Sequence, residues 1–397
     1  MKHASIIPLI GGETIGCEYA FGSPPDYFLS YEPFQSNDQH ILNYYNKEIP
    51  YYLLDKNQKY PYKVDVISTV CPCAGLSQLS TIAGENNIAN RWLLDTTKFV
   101  LEEMKPIVFW GENAPGLAGT IGKGIRDKLY ATAIDCGYSM TLYRTRSLLH
   151  GVPQIRERTF YFFWRGNKVP LINYFSRKHT PIETVICESR GNTQQETINK
   201  NTPSKDPYYR YILEVLFDGI THSKFSEIIE PRAAGGNDTL SYIEKQNISY
   251  AQLSDWMQMH GYDKEAAACI RRYNKLNDGK QIMRRGIIVP KDYIGAFVGH
   301  HPYSVTHPIE DRFITYREAM TIMGLPDNFE LIEPRKNVNH ICQNVPVQTA
   351  TDMANEVLAY LNDKRTMIDS RMIFQYNQQR KENIINTNNG TLEIFFN

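Results

Sequence analysis

Cys73 follows a proline at the end of an apolar, β-branched run, Lys63–Val70 (KVDVISTV). A thiol on a strand-end loop near the start of a helix can have a lowered pKa and act as a nucleophile. A lone cysteine is more often a buried structural residue, and Cys71 leaves a redox or metal-binding Cys-x-Cys pair open as another use. Glu112-Asn113 closes a second apolar run that begins at Pro106–Trp110. A carboxyl group there can be kept protonated to act as a donor or acid, or it can be a helix cap or a surface acid. Gln154-Ile155-Arg156-Glu157-Arg158 precedes a third run, Thr159–Trp164 (TFYFFW). Arginines at alternating positions of an extended segment point to one side, where they can meet an anion or a base carbonyl together; an ion-paired surface strand is the plainer use. Gly11-Gly12 follows the run Ala4–Ile10, and Glu32 ends Tyr27–Tyr31. Two glycines permit close backbone approach of a nucleoside-type ligand or make a tight turn. An acid at a strand end can take ribose hydroxyls or sit solvated at a helix N-terminus.

These clusters share a setting. The five runs are short and apolar, and they alternate with helical patterns: Pro33–Tyr45, Asn90–Met104 and Leu117–Cys136. Strands alternating with helices predict an α/β fold with a parallel sheet covered on both faces. In such sheets ligands bind at the carboxyl ends of the strands, where the candidate residues fall. From Arg165 to about Pro308 the rhythm breaks, which predicts a separate, less regular domain or a purely structural insertion. Helical patterns return at Thr315–Met323 and Thr349–Leu361, and Asn388–Thr391 reads as a turn into a short strand, Leu392–Phe396.

Composition bounds the function classes. The chain has 397 residues, 42% hydrophobic and 22% charged, with 43 Lys+Arg against 43 Asp+Glu. That composition can bury a core, and the balanced charge excludes a uniformly basic, histone-like protein but not a local basic patch. The seven cysteines are scattered, which fits a reducing cytoplasm better than a disulfide framework. No Cys-x-x-Cys or His-x-x-x-His pair suggests structural zinc. The first residues are too weakly apolar for a signal peptide, and no apolar run reaches the roughly 18 residues of a membrane span.

Taken in order, Pro72-Cys73, then Glu112-Asn113-Ala114-Pro115-Gly116-Leu117, then Gln154-x-Arg156-x-Arg158 resemble the C5-cytosine DNA methyltransferase family. Arg312-Phe-Ile-Thr315-Tyr-Arg317-Glu318-Ala319, Met323-Gly-Leu-Pro-Asp327-Asn-Phe329 and Gln343-Asn344-Val345-Pro346 extend the resemblance. It implies a Rossmann-like sheet dependent on S-adenosylmethionine, with a smaller irregular target-recognition domain. It also implies four segments: a catalytic and cofactor-binding part (1–165), the recognition part (166–310), a return segment (311–362) and a C-terminal extension (363–397). By the same resemblance Cys73 would add to C6 of a flipped cytosine in double-stranded DNA, Glu112 would contact N3 and the exocyclic amine, Arg158 would hold O2, and Arg156 would help position the set. The cofactor would lie against Ile10, Gly11, Gly12, Glu32, Asp55, Pro72 and Asn344. The loop Ala74–Asn87 would close over the base. The sequence departs from the family pattern at Ser5, Ile7 and Leu9, where an acid, a phenylalanine and a glycine are usual, and at Cys71, Ala114 and Gln343. Ile7 removes an aromatic face from the adenine, and Leu9 adds bulk.

A basic stretch within the recognition part holds Arg271, Arg272, Lys275, Arg284 and Arg285. It predicts a phosphate-contacting surface, or a solvated helix face. The Arg232–Asn237 loop is a further candidate for base readout. The expected partner is DNA, with no membrane and with the chain acting as a monomer. The RNA-methylating branch of the family carries a Cys-Phe-Thr motif that is absent here. A non-catalytic relative and a thiol redox protein using Cys71 and Cys73 are the competing readings.

Overall fold

The computed structural model describes residues 1–77, 83–231, 238–280, 282, 286–299, 301–377 and the backbone of 390–394. The apolar runs become strands β1 (His3–Ile6), β2 (Tyr27–Ser30), β4 (Val66–Thr69), β5 (Val108–Asn113) and β7 (Glu157–Arg165), joined by β3 (Tyr51–Leu53) and β6 (Tyr138–Arg146), which the sequence pattern does not mark. A two-residue β8 (Val169–Pro170) pairs with β9 (Met367–Ile368), and β10 (Met372–Asn377) and β11 (Gly390–Ile394) rejoin the main sheet. The main sheet has nine strands in the order β11-β10-β6-β7-β5-β4-β1-β2-β3. It is not wholly parallel: β7 runs antiparallel to both β5 and β6, and β11 is antiparallel to β10. Strands β1, β2, β4 and β5 are 4–6 residues long and buried along their length, which suits β-branched and aromatic residues. In the centre, Phe109 stacks on Phe163 and Trp110 on Phe162 across the β5–β7 pair.

The helices, in chain order, are α1 (Gly12–Phe21), α2 (Gln35–Tyr44), α3 (Ala89–Phe99), α4 (Lys123–Asp135), α5 (Ile182–Cys187), α6 (Pro207–Tyr211), α7 (His222–Ile228), α8 (Thr239–Lys245), α9 (Tyr250–Met259), α10 (Asp263–Asn277), α11 (Tyr316–Ile322), α12 (Pro334–Gln343) and α13 (Val347–Leu361). Helices α1 and α13 pack side by side, as do α3 and α4. No helix among the described residues is long and apolar enough to cross a membrane.

Three findings differ from the sequence expectations. Strand β1 stops at Ile6, because Ile7 and Leu9 turn into the left-handed region with φ of 55° and 51°. The sheet is mixed rather than parallel. The region from Arg165 to Pro308 is more regular than its polar composition suggests: α6 to α10 enclose an aromatic core of Tyr209, Phe225, Tyr242, Trp256 and Met257. Their caps are explicit, with Ser249 and Gln252 forming a capping box on α9.

Charged residues of the return segment are structural. Thr315 and Glu318 form a capping box on α11, and Arg312 grips Glu318 with two bonds of 2.9 and 2.8 Å. Arg317 is fully buried and donates to the carbonyls of Pro326 and Phe329. The C-terminal extension covers the β6 edge. Asn377 on β10 donates to Thr145 at 3.1 Å, and Gln375 exchanges bonds with the Ile172 backbone at 3.0 and 3.1 Å.

Candidate functional site

Parallel strands β4 and β5 end side by side, with Thr69 opposite Gly111. The chain then leaves β4 through Cys71-Pro72-Cys73, and a 3-10 turn begins at Ala74. Glu112 and Asn113 are the last two residues of β5, opposite Phe160 and Thr159 of β7. Because β7 is antiparallel, its first residues lie at this same end of the sheet, and Arg158 is one of them. Three strand termini thus deliver a thiol, a carboxylate and a guanidinium to one place.

Arg158 Nε stands 2.6 Å from Glu112 Oε1, with side-chain exposures of 14% and 4%. Neither atom has a directed hydrogen-bond partner among the described residues, so the contact is a buried ion pair rather than an aligned hydrogen bond. Cys73 feels this pair. Burial pushes its thiol up, Glu112 pushes the same way, and Arg158 and Arg156 pull it down. The thiol is therefore held in its neutral form by burial while the charges able to reverse that stand beside it. Cys71 differs: it is fully buried, its thiol pushed up to about 11 by burial, with Thr69 Oγ1 at 3.4 Å.

Arg156 does not join the cluster through its terminal nitrogens. Its Nη1 donates to the carbonyls of Phe297, at 3.0 Å, and Cys342, at 2.9 Å. Burial and the neighbouring Arg158 both disfavour its charge. The two arginines of the Gln-x-Arg-x-Arg motif thus part company: one faces the carboxylate and the other ties distant backbone segments together. Gln154 does similar tying, accepting from the Phe297 amide at 3.2 Å.

The second half of the site lies around β1, which has β2 on one side and β4 on the other. This is the point where strand order reverses, the usual ligand crevice of such a sheet. Gly11 has φ 95°, and a methyl group on it would overlap Ile41. A methyl group on Gly12 would overlap Asn344 and the Val345 carbonyl. The Gly12 amide donates to Asn344 Oδ1 at 2.8 Å, which leaves Asn344 Nδ2 buried without a partner. Glycines packed to contact and an orphaned amide nitrogen fit a group bound across this loop. Ile10 is buried among Ile41, Met320 and other residues of a second core, so its side chain serves packing. Pro72 is half-buried beside Cys73.

Glu32 is exposed at the β2 end, where it pairs with Lys56 Nζ at 2.7 Å. Its amide donates to Asp55 Oδ2 at 2.9 Å. Asp55 also lines, with Tyr31, Tyr60 and Phe99, a 740 Å³ cavity. Trp92, not singled out from sequence, packs its ring 5.0 Å from that of Tyr31 and 4.9 Å from that of Phe34. Its only signal was an aromatic residue in the first turn of a helix that follows a strand end.

Arg271, Arg272 and Lys275 lie on α10 and line one 260 Å³ depression. Arg271 and Lys275 are exposed. Arg272 is half-buried, its guanidinium 5.3 Å from the Tyr208 ring centre. Arg284, Arg285, the Arg232–Asn237 loop and residues 78–82 of the Ala74–Asn87 loop lie outside the described residues.

The family model for C-5 cytosine-specific DNA methylases matches residues 2–359. Among curated proteins, the chain is 27% identical over 313 residues to the type II methyltransferase M.NgoPII of Neisseria gonorrhoeae, covering 79% of this chain and 80% of that one. It is 24% identical over 301 residues to the type II methyltransferase M.Bpa9945I of Bacillus paralicheniformis, covering 68% and 65%. Among solved structures, a protein described as a DNA modification methyltransferase encoded within an E. coli prophage superposes with a TM-score of 0.55 at 19% identity, covering 91% and 99%. The Entamoeba histolytica methyltransferase EhMeth gives 0.55 at 13% identity, covering 91% and 98%.

Proposed function

We propose that this chain, which belongs to the C-5 cytosine-specific DNA methylase family and is a DNA cytosine-5-methyltransferase, works through a covalent bond between Cys73 and a cytosine flipped out of double-stranded DNA. The observation that carries this reading is the convergence of Cys73, Glu112 and Arg158 at one end of the sheet, the last two ion-paired at 2.6 Å beside the thiol.

Carbon 5 of cytosine is a poor nucleophile on its own. The Cys73 thiolate bonds to C6, and the electrons of the C5–C6 double bond move to C5. Glu112, at the ring's N3 and amine edge, and Arg158, at O2, stabilise the charge that builds on the ring. S-adenosylmethionine, when bound, supplies the methyl group that C5 takes up. A base or water then removes the C5 proton; that electron pair restores the double bond and expels the thiolate. Flipping costs a few kcal/mol of lost stacking, and the Ala74–Asn87 loop closes over the extruded base. Arg156 acts here as a positioning residue. The residues that would hold the cofactor are Gly11 and Gly12, which let the loop approach closely, Asn344 through Nδ2, Glu32, Asp55 and Pro72, with Ile10 backing the loop.

The chain divides, in this reading, into a catalytic part (1–165), a recognition part (166–310), a return segment (311–362) and an extension (363–397). Arg271, Arg272 and Lys275, continued by Arg284 and Arg285, meet DNA phosphates. The protein acts as a monomer in the cytoplasm, where its free thiols stay reduced.

DNA containing 5-fluorocytosine tests the mechanism, because fluorine cannot leave and the adduct is trapped. The expected result, with S-adenosylmethionine present, is a denaturation-resistant complex formed by the native chain and lost in Cys73→Ser. Equal trapping by that variant would overturn the assignment, and trapping through Cys71 would favour the Cys-x-Cys reading. For the phosphate surface, Arg271→Glu with Lys275→Glu should lower the slope of log affinity against log salt by about 2; an unchanged slope removes it from the interface.

A further inference from the structure

The loop between β1 and α1 is unusual in its backbone. Ile7 and Leu9 both have positive φ, at 55° and 51°. Glycine adopts that region freely; a leucine rarely does, and a β-branched isoleucine is an outlier there. Two such residues in a five-residue loop persist only where the surroundings over-determine the turn. For Ile7 the neighbouring strand does this, its amide donating to the Leu29 carbonyl at 2.9 Å. For Leu9 the partner is a side chain: its amide donates to Asp38 Oδ1 at 3.0 Å. Asp38 sits in the first turn of α2 and is fully buried. Its other oxygen accepts from the Tyr51 hydroxyl on β3 at 2.8 Å. A buried carboxyl is costly unless hydrogen-bonded on both oxygens, and here one bond is spent on the backbone of the glycine loop. One residue beyond Ile10, Gly11 closes the turn by donating to the Pro8 carbonyl at 3.0 Å, and Gly12 then meets Asn344.

We propose that Asp38 is a positioning residue for the cofactor: by holding the Leu9 amide it keeps Ile7–Gly11 in the turned shape that sets Gly11 and Gly12 against the Asn344 segment. It thereby lets a leucine stand where the turn calls for glycine. Asp38 touches no substrate or cofactor itself. The proposal rests on reading this loop as the cofactor's seat.

The same carboxyl gives the loop a pH dependence. Burial pushes Asp38 up to about 7, with bonds from Ser30, Tyr51 and Leu9 pulling the other way. Tyr51 is the titratable group facing it, and Asp55 lies beyond Tyr51. Because folding raises this pKa, its contribution to stability is fully present below the unfolded value and is lost as pH rises through about 7. The hold on Leu9 runs the opposite way, since the carboxylate is the stronger acceptor.

The test is calorimetric titration of the full chain with S-adenosylhomocysteine between pH 6 and 8, which needs no turnover. Asp38→Ala should weaken binding at least about tenfold. Asp38→Asn, which keeps an acceptor for Leu9, should stay within about threefold of the native chain and lose its pH dependence. Leu9→Gly removes the strain, so adding Asp38→Ala to it should change affinity by no more than about threefold. The proposal is overturned if Asp38→Ala binds like the native chain, or if the double variant falls as far as Asp38→Ala alone. Should Asp38→Ala fail to fold, the pH profiles decide: an Asp38→Asn profile that still rises through neutrality overturns it. A native chain that binds no S-adenosylhomocysteine defeats the cofactor reading itself, and this proposal with it.

Discussion

The thiol end of the crevice and its glycine-loop end occupy neighbouring strands and are built differently. At the thiol end, side chains face one another: Cys73, Glu112 and Arg158 come from the termini of β4, β5 and β7, in backbone of ordinary shape. At the glycine-loop end the backbone is the instrument. Two left-handed residues, a glycine at φ 95° and close contact with Asn344 shape the loop. Where a side chain supplies the reacting atom, its identity is fixed by chemistry. Where a backbone contour does the holding, residues can change so long as something else keeps the contour. Ser5 shows this on a small scale. Its hydroxyl donates to Glu13 Oε2 at 3.2 Å, so a buried carboxyl still stands beside β1 although position 5 no longer provides it.

Four experiments can break that contrast or sharpen it. Cys73→Ala should lower methyl transfer by about 10⁴-fold or more, with S-adenosylhomocysteine affinity unchanged by calorimetry; a comparable loss of affinity would mean the two ends are not separable. Glu112→Gln should cost about 10²–10³-fold in turnover yet act oppositely on the free thiol. Removing the negative charge beside Cys73 lowers its raised pKa, so iodoacetamide labelling at neutral pH, followed by mass spectrometry, should become faster. Slower labelling would place Glu112 outside the thiol's surroundings. In the native chain, labelling should climb toward alkaline pH, since burial holds the thiol above its ordinary value.

Arg156→Met lies between the ends and should act mainly on stability, with a loss of about 3 kcal/mol in urea unfolding. Arg158→Met should leave stability much closer to native while removing turnover. Identical behaviour of the two would contradict the division of labour seen in their contacts. Smallest is Lys56→Ala. Freeing Glu32 from its exposed ion pair should tighten S-adenosylhomocysteine binding by about twofold, and weaker binding would show that Lys56 itself meets the cofactor.

Much of the thiol end was legible because the chemistry demands particular residue types at strand ends, and apolar runs ending in Cys73 or Glu112 announce themselves. The cofactor loop was legible only in its glycines. Ile7 to Ile10 read as more strand, since β-branched residues favour extended backbone; the bonds that hold the turn come from Leu29 and from Asp38, 29 residues from Leu9 along the chain, which no local pattern reveals. Strand β7 was expected, but its antiparallel direction was not, as an apolar run carries no sign of direction. The stretch from Arg165 to Pro308 read as irregular because Tyr208, Tyr209, Tyr211 and Tyr242 count as half-polar in sequence yet are buried in its core. Strands β6 and β10 escaped notice because their arginines, threonines and glutamine interrupt the apolar pattern while pairing within the structure.

Arg156 has a mechanical meaning beyond its placement. One guanidinium nitrogen is hydrogen-bonded at once to the carbonyls of Phe297 and of Cys342, the latter two residues before the asparagine that accepts from Gly12. Any displacement of the Phe297 segment must therefore either carry the end of α12 with it or break one of those two bonds.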